Sequence, residues 1–198
     1  RAIRSVRSVA AEPGSGQRAA QERALRESLA LPGVTREIGS LGRMLPRATS
    51  MLDAGFTVDA FSRATASGAY GIVHIASHGI FGGDAKSSYL LAYDDLLTLG
   101  GLQQLLQTEQ FKKQPLELLT LSACETADGN ERAPLGISGA AIKARAKSVL
   151  GTLWPVNDEA AVTLMQGFYT GLLQGRQSKA QALRQAQLAL LRQREFAH

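Results

Sequence analysis

Two residues that could carry out nucleophilic chemistry each follow a short apolar run. Cys124, the only cysteine, comes after residues 116–121, and His78 comes after the β-rich run 70–77. Apolar runs of this length that end in small polar residues are typical of strands in a parallel sheet. Ligands of open α/β sheets bind outside the carboxyl ends of the strands. The pattern therefore predicts that a thiol and an imidazole meet at one sheet edge, as a cysteine nucleophile and its partner would.

Order and spacing make this prediction more specific. His78 precedes Cys124 by 46 residues, and in caspases the histidine precedes the cysteine by about 50 residues. Three motifs follow one another along the chain: H-I-A-S-H-G at residues 74–79, L-S-A-C-E-T at 121–126 and T-L-W-P-V-N-D at 152–158. Together they resemble the CHAT family, which comprises caspase-like cysteine peptidases of the clan of caspases, separases and gingipains. The resemblance covers about residues 31–191.

The alternation of strands and helices predicts a parallel sheet with helices on both faces. The resemblance implies a caspase-like three-layer α/β sandwich with a mostly parallel central sheet. Cys124 would be the nucleophile, and His78 would deprotonate it or protonate the leaving amine. The backbone N–H groups of Gly79 and Cys124 would stabilise the oxyanion, since a glycine after the histidine lets the scissile carbonyl approach the main chain.

Cys124, His74 and Trp154 each have a structural interpretation beside the functional one. Cys124 could be a small buried hydrophobic residue, because free cysteine is among the most buried residue types. His74 lies on the same strand face as His78, and we expect a hydrogen-bonded core histidine there. His74, His78 and Cys124 could form a metal site, but there is no Cys-x-x-Cys pair and His74 and His78 are predicted to lie on a strand rather than on a helix, so we expect neither metal nor cofactor. Trp154 could line the substrate cleft or be a buried anchor before Pro155.

Substrate preference depends on the acidic residues near the crevice. Clan members that cleave after basic residues carry an acid two positions before the cysteine, and Ser122 occupies that position here. We expect substrate contacts from Ser122 and Trp154 and, among the acidic residues, first from Asp158 and Glu125. Asp84 and Asp128 are further candidates. Asp158 could instead only cap its helix.

Composition sets wider bounds. The chain has 198 residues, a length for one domain, and a net charge of +5 that is spread along the sequence. It has no nucleic-acid-reading motif and no apolar run long enough to cross a bilayer, so we expect neither nucleic-acid nor membrane partners. A single cysteine excludes an internal disulfide and suits the reducing cytoplasm. Because the chain begins at Arg1 rather than Met, we expect a fragment from which an upstream domain or targeting segment has been removed.

We divide the chain into residues 1–30, a strand or linker plus a surface helix, and residues 31–198, the peptidase domain. Within the second part, Thr35 is expected to cap a helix, residues 49–52 to form a strand, and residues 89–93 to form a small extra strand. Four further capping residues are expected at helix starts, namely Thr57, either Asn157 or Asp158, and Ser178 with Gln181. An apolar stripe with Phe168 and Tyr169 is expected in the core.

The main functional hypothesis is a cysteine endopeptidase that cleaves a protein substrate. The family resemblance implies a bacterial regulatory or defence pathway. By resemblance, its partners would include an upstream helical-repeat domain of the TPR type or an activator protein. The loops at residues 80–88 and 127–135 have few apolar anchors, so we expect mobile loops whose ordering regulates the peptidase. The alternative is a non-catalytic interaction module with the same fold. An acyltransferase would need a cofactor or carrier signature, and no phosphate-binding glycine loop follows a strand.

Overall fold

The computed structural model describes residues 31–45, 47–68, 70–80, 88–122, 146–152 and 156–196, which all belong to one compact unit. Several expectations lie outside these residues. They concern residues 1–30 and most or all of the loops at 80–88 and 127–135.

The described helices and strands are, in chain order, α1 (Pro32–Met44), α2 (Val58–Ser67), β1 (Ile72–Ile75), β2 (Gly79–Ile80), β3 (Tyr89–Leu91), β4 (Leu96–Thr98), α3 (Leu99–Leu105), α4 (Glu109–Lys113), β5 (Leu118–Leu121), β6 (Val149–Gly151), α5 (Asp158–Leu173) and α6 (Lys179–Leu191). Two short 3-10 turns add to these, at Asp53–Gly55 and Arg194–Phe196.

The central sheet is parallel, with the strand order β1-β5-β6. All four residues of β5 are buried, as expected for a strand covered on both faces. The two strands predicted before the candidate dyad residues are thus confirmed, and they lie side by side. A mixed α/β fold with a parallel sheet follows directly from these pairings.

A second, antiparallel sheet lies beyond His78, with the strand order β2-β3-β4. The small extra strand expected at residues 89–93 is confirmed as β3. The two-residue strand β2 was not anticipated, because two residues are too few to give a periodic pattern.

Alternate residues of β5 pack against two different sets of helices. Leu119 and Leu121 belong to an apolar cluster with residues from α2, α3 and α4. Leu118 belongs to a second cluster with residues from α1, α5 and α6. Strand alternation therefore directs the side chains of β5 into two cores. In the second core Phe168 and Tyr169 are almost fully buried, which confirms the predicted stripe of α5.

Helix starts follow the capping rules at several places. The Thr57 hydroxyl accepts a hydrogen bond from Ala60 N–H at 3.0 Å, and Asn157 rather than its neighbour caps α5. Ser178 and Gln181 form the complete capping box at the start of α6. Such caps satisfy N–H groups that a helix leaves without intrahelical partners. These predictions are confirmed.

The expected cap at Thr35 is wrong, because α1 begins three residues earlier at Pro32. Proline suits the first helical position, since its fixed φ is helical and it has no N–H to satisfy. The next N–H, that of Gly33, donates to the Asp158 carboxylate at 2.6 Å. The N-terminus of α1 is thus capped by a side chain 125 residues away in sequence.

The strand expected at residues 49–52 is also wrong. Thr49 and Ser50 are exposed, and the chain turns at Asp53–Gly55. Only Met51 of this segment packs against the first core. A single apolar anchor leaves the segment without the half-buried surface that stabilises a strand.

Helices α5 and α6 approach each other closely at glycines. A Cβ atom added to Gly167 would lie 3.2 Å from the Ala186 Cβ, and one added to Gly171 would lie 3.1 Å from the Ala182 Cβ. The two glycines are one turn apart, so they form one contact face. Small residues on both helices therefore set the distance between them.

We predict that Gly167→Leu lowers the free energy of unfolding by about 1–3 kcal/mol, because the added side chain has no room against α6. Gly39→Ala is the matched control on the exposed face of α1, where an added Cβ meets only the end of Arg43 at 3.9 Å. It should raise stability by about 0.5–1 kcal/mol, since it removes a glycine from a helix interior. Urea denaturation measures both changes, and a destabilisation shared by both variants would contradict the argument.

Candidate active site

The pairing of β1 with β5 fixes which residues stand opposite each other at the carboxyl edge of the sheet. Ile72 lies opposite Leu118, and Ile75 lies opposite Leu121. Each residue of β1 is thus paired with the residue 46 positions later in the sequence. The bond from Ser122 N–H to the Ile75 carbonyl, at 2.8 Å, completes the last of these pairs.

His78 leaves this edge at a defined point. It follows β1 by three residues and precedes β2 directly. Its carbonyl accepts a hydrogen bond from Leu91 N–H at 2.8 Å, and the neighbouring Ser77 hydroxyl donates to the Leu91 carbonyl at 2.5 Å. The side chain of His78 is half-buried. The backbone that carries this imidazole is therefore anchored to the second sheet.

Gly79 occupies a special position in the second sheet. It stands opposite Leu90, next to the pair in which Leu91 N–H bonds His78. In an antiparallel ladder, hydrogen-bonded and non-hydrogen-bonded positions alternate. Gly79 is therefore at a non-hydrogen-bonded position, and its N–H points away from β3. The main chain after the histidine thus directs a donor away from the ladder.

Ser122 closes the carboxyl end of β5. It is 8% exposed, and its Oγ makes no hydrogen bond with any group in the part of the chain that the structure describes. Strand alternation places its side chain on the same sheet face as Thr120. A buried hydroxyl without a partner carries a cost in free energy that a bound group with a polar atom could offset.

A buried polar network lies deeper on that face. His74 Nε2 lies 2.6 Å from Glu37 Oε1, and its Nδ1 lies 3.1 Å from the Tyr169 hydroxyl. The Tyr169 hydroxyl in turn lies 2.9 Å from Thr120 Oγ1. The His74 and Glu37 side chains are 7% and 2% exposed. The expected hydrogen-bonded core histidine is thus confirmed.

The network has a consistent direction for a neutral imidazole. An ionised carboxylate only accepts hydrogen bonds, so Nε2–H donates to Glu37, and Nδ1 accepts from the Tyr169 hydroxyl. The Thr120 hydroxyl then donates to Tyr169. Burial raises the pKa of Tyr169 well above its usual range, and the Glu37 charge adds to this. Tyr169 therefore keeps its proton and remains a donor at physiological pH.

A cavity of about 160 Å³ runs along the outer edge of β1, on the side away from β5. Its wall is formed by α1, α2, the segment between them and β1, mostly through apolar side chains, and His74 and Tyr169 reach it from the network. Neither His78 nor Ser122 lines it. This cavity is therefore separate from the candidate site at the strand ends. The one imidazole in its wall, that of His74, already has partners at both ring nitrogens.

Asp158 lies at the first position of α5, after the capping residue Asn157. Its carboxylate accepts the Gly33 N–H at the start of α1. The negative charge therefore faces the positive ends of two helix dipoles. This position ties α1 to α5 and leaves the predicted substrate contact of Asp158 untested.

Other predicted site residues lie outside the described residues. These are Cys124, Glu125, Trp154, Asp84 and Asp128. Among the residues that the structure does describe, no three His, Cys, Asp or Glu side chains group closely enough to hold a metal ion. Within the same ranges, no helix combines the length and the apolar character that crossing a membrane requires.

Sequence reasoning missed Glu37 and Tyr169 as partners of His74, and Thr120 as a partner of Tyr169. A signal for Glu37 was present, since it interrupts the apolar face of α1 between Val34 and Leu41. A carboxylate on such a face needs a partner, because an unpaired buried charge is strongly unfavourable. The signal for Tyr169 is its phenol, which usually finds a hydrogen-bond partner when buried.

The fold and this sheet edge define an α/β domain with its candidate site at the carboxyl ends of parallel strands. The family model described as the CHAT domain matches residues 1–198, the whole chain. The chain belongs to the CHAT domain family, a caspase-like fold family related to cysteine peptidases. Neither the comparison with curated proteins nor the comparison with solved structures found a match.

We predict that Tyr169→Phe lowers the free energy of unfolding by about 1–3 kcal/mol, because it leaves Thr120 and His74 with buried polar atoms that lack a partner. Arg36→Ala is the control. It removes an ion pair with Glu159 in which both side chains are more than half exposed, and such pairs contribute at most about 1 kcal/mol. Chemical denaturation compares the two, and a cost for Tyr169→Phe no larger than for Arg36→Ala would count against the network.

Proposed function

We propose that the chain is a cysteine endopeptidase of the CHAT type, with Cys124 as nucleophile and His78 as its acid–base partner. The observation that carries this proposal is the register of the central sheet. Residues of β1 pair with residues 46 positions later in β5, and His78 and Cys124 are also 46 positions apart. Because this offset holds up to the last pair of the ladder, the segments that carry the two residues start side by side at one sheet edge.

The reaction proposed for this pair has two steps. The Cys124 thiolate attacks the scissile carbonyl carbon, and the carbonyl oxygen becomes an oxyanion. The tetrahedral intermediate then breaks the C–N bond, and the leaving amine takes a proton from the imidazolium of His78. In the second step His78 removes a proton from water, the water attacks the thioester, and the peptide acid leaves Cys124.

The position of Gly79 supports an oxyanion site in this mechanism. Its N–H points away from β3 because it occupies a non-hydrogen-bonded position. We propose this N–H as one donor and the Cys124 N–H as the other. Donors aimed at a developing oxyanion typically contribute about 10²–10³ in rate.

The same proposal assigns a caspase-like three-layer arrangement to the domain. The support is the two-sided burial of β5, whose alternate residues face cores built by different helices. Such a layering leaves the carboxyl edge of the sheet as the open crevice.

The test of the dyad is labelling by a thiol-reactive peptide probe. We predict that Cys124→Ala abolishes labelling and that His78→Ala lowers peptide turnover by at least about 10². His198→Ala, which alters the terminal one of the three histidines, is the control and should label like the parent chain.

The free energy of unfolding of both dyad variants should lie within about 1 kcal/mol of that of the parent chain, as is usual for changes outside a packed core. A large destabilisation by Cys124→Ala, together with unchanged labelling in His78→Ala, would favour the buried-cysteine interpretation. Absence of labelling in the parent chain under every condition would favour the non-catalytic interaction module.

We further propose that Ser122 contacts the substrate residue before the scissile bond, because its buried hydroxyl has no partner among the described residues. Ser122→Ala should leave the free energy of unfolding unchanged or slightly higher, since no hydrogen bond is lost. It should raise KM for peptides with a polar side chain at that position. Thr120→Val, which removes a bond to Tyr169, is the control and should lower stability. Unaltered KM values across a peptide library would overturn the assignment.

The remaining substrate contacts are proposed from their sequence positions near the expected crevice. They are Glu125, Trp154 and Asp158, the last of which already holds the Gly33 N–H. Regulation by loop ordering, by an activator or by an upstream helical-repeat domain belongs to the same proposal. In that case the probe would label Cys124 more strongly when such a partner is present than with the chain alone.

A further inference from the structure

Two exposed surfaces of opposite charge stand out in this chain. The acidic turn (Tyr93, Asp94, Asp95 and Leu96) joins β3 to β4, and all four residues are exposed. The basic helix face (Arg184, Leu188, Leu191 and Arg192) lies along and just beyond the second half of α6, and its four residues are also exposed. Residues at spacings of three, four and seven share one side of a helix, so the second set forms a continuous strip.

Both surfaces carry large apolar side chains that face solvent. In the acidic turn Tyr93 is 50% and Leu96 is 47% exposed, and on the basic helix face Leu188 is 38% and Leu191 is 61% exposed. Only one other large apolar residue among the described residues is exposed, namely Val156. Isolated apolar residues on a surface are ordinary, whereas paired ones rimmed by charge mark interaction sites.

The charges of the two surfaces are complementary. Asp94 Oδ1 accepts the Val58 N–H at 3.0 Å, and Asp95 Oδ1 accepts the Leu96 N–H at 2.7 Å. These bonds fix both carboxylates while each keeps a second oxygen as acceptor. Arg184 and Arg192 form no ion pair with another described residue. Two oriented carboxylates therefore match two guanidinium groups that no described carboxylate pairs with.

The two surfaces cannot meet within one molecule. Leu90 and Leu97, which anchor the hairpin of the acidic turn, belong to the core with α2, α3 and α4. Ala182 and Ala186 anchor α6 in the other core, on the opposite face of β5. The central sheet thus separates the acidic turn from the basic helix face.

We propose that the acidic turn of one copy docks on the basic helix face of a second copy. This contact is head-to-tail, so each bound copy leaves one free surface of each kind for a further copy, and the assembly closes into a ring or extends. The patches are small, which makes the association weak and dependent on concentration. Because charge pairs contribute at the rim, added salt weakens it.

The test uses two variants of the chain, each of which blocks one surface. Asp95→Lys blocks the acidic turn, and Leu191→Glu blocks the basic helix face. In sedimentation velocity at low salt, the average mass of the parent chain rises with concentration, and each variant alone loses association by at least about tenfold because like charges then face each other. An equimolar mixture regains association, since the intact acidic turn of one variant docks on the intact basic helix face of the other.

Lys113→Glu, a charge reversal at an exposed site on α4, is the control and associates like the parent chain. Thermal unfolding checks that each variant is folded, and Arg192→Glu replaces Leu191→Glu if that chain is not. A parent chain that stays monomeric at the highest concentration overturns the proposal. So does a mixture that remains monomeric, or a pair of variants that each associate as the parent chain does.

Discussion

The backbone pairing of β1 with β5 is the constraint on which the rest of the structure depends. The register of these two strands cannot shift by one residue, because such a shift would turn every side chain to the other face of the sheet. β5 is buried on both faces, with Leu119 and Leu121 in one core and Leu118 in the other. Both cores therefore hold the same register. The residues that follow the two strands inherit that register, and for this reason a packing constraint bears on chemistry at the sheet edge.

The buried network of Glu37, His74, Tyr169 and Thr120 works on one of these faces. It joins α1, β1, β5 and α5 through three hydrogen bonds. Replacing such a network by apolar groups often leaves stability unchanged, but breaking one member leaves buried polar atoms without partners. Its effect is thus to penalise alternative placements of α1 and α5 more than to add net stability. The contact between Asp158 and Gly33 ties the same two helices at their starts.

Local patterns in the sequence were sufficient for the elements that depend on local chemistry. The caps at Thr57, Asn157 and Ser178 were predicted because a cap needs only residues two or three positions apart. The start of α1 was not predicted correctly, since the acceptor for its first-turn N–H comes from a distant segment. The partners of His74 escaped for the same reason, because 37 and 95 residues separate it from Glu37 and Tyr169. The absent strand at residues 49–52 shows that an apolar pair without a half-buried surface does not make a strand. For the candidate site, the sequence predicted the strands and the position of His78, whereas the bonding state of Gly79 required the register of the second sheet.

The arrangement also separates stability from chemistry within one strand. Residues up to Leu121 have side chains fixed by the two cores, and a change there acts on the whole domain. Ser122 follows β5 directly, and it is held by a backbone bond to Ile75 while its hydroxyl makes no hydrogen bond to another described residue. At this residue, therefore, the backbone is still determined by the sheet but the side chain is not determined by the core. On the neighbouring strand, the backbone of His78 is anchored by Leu91 and its side chain is only half-buried. Ser122 and His78 thus have an anchored main chain and side chains that belong to neither apolar cluster. Under this condition the residues at a sheet edge can change their chemistry while the fold that positions them stays the same.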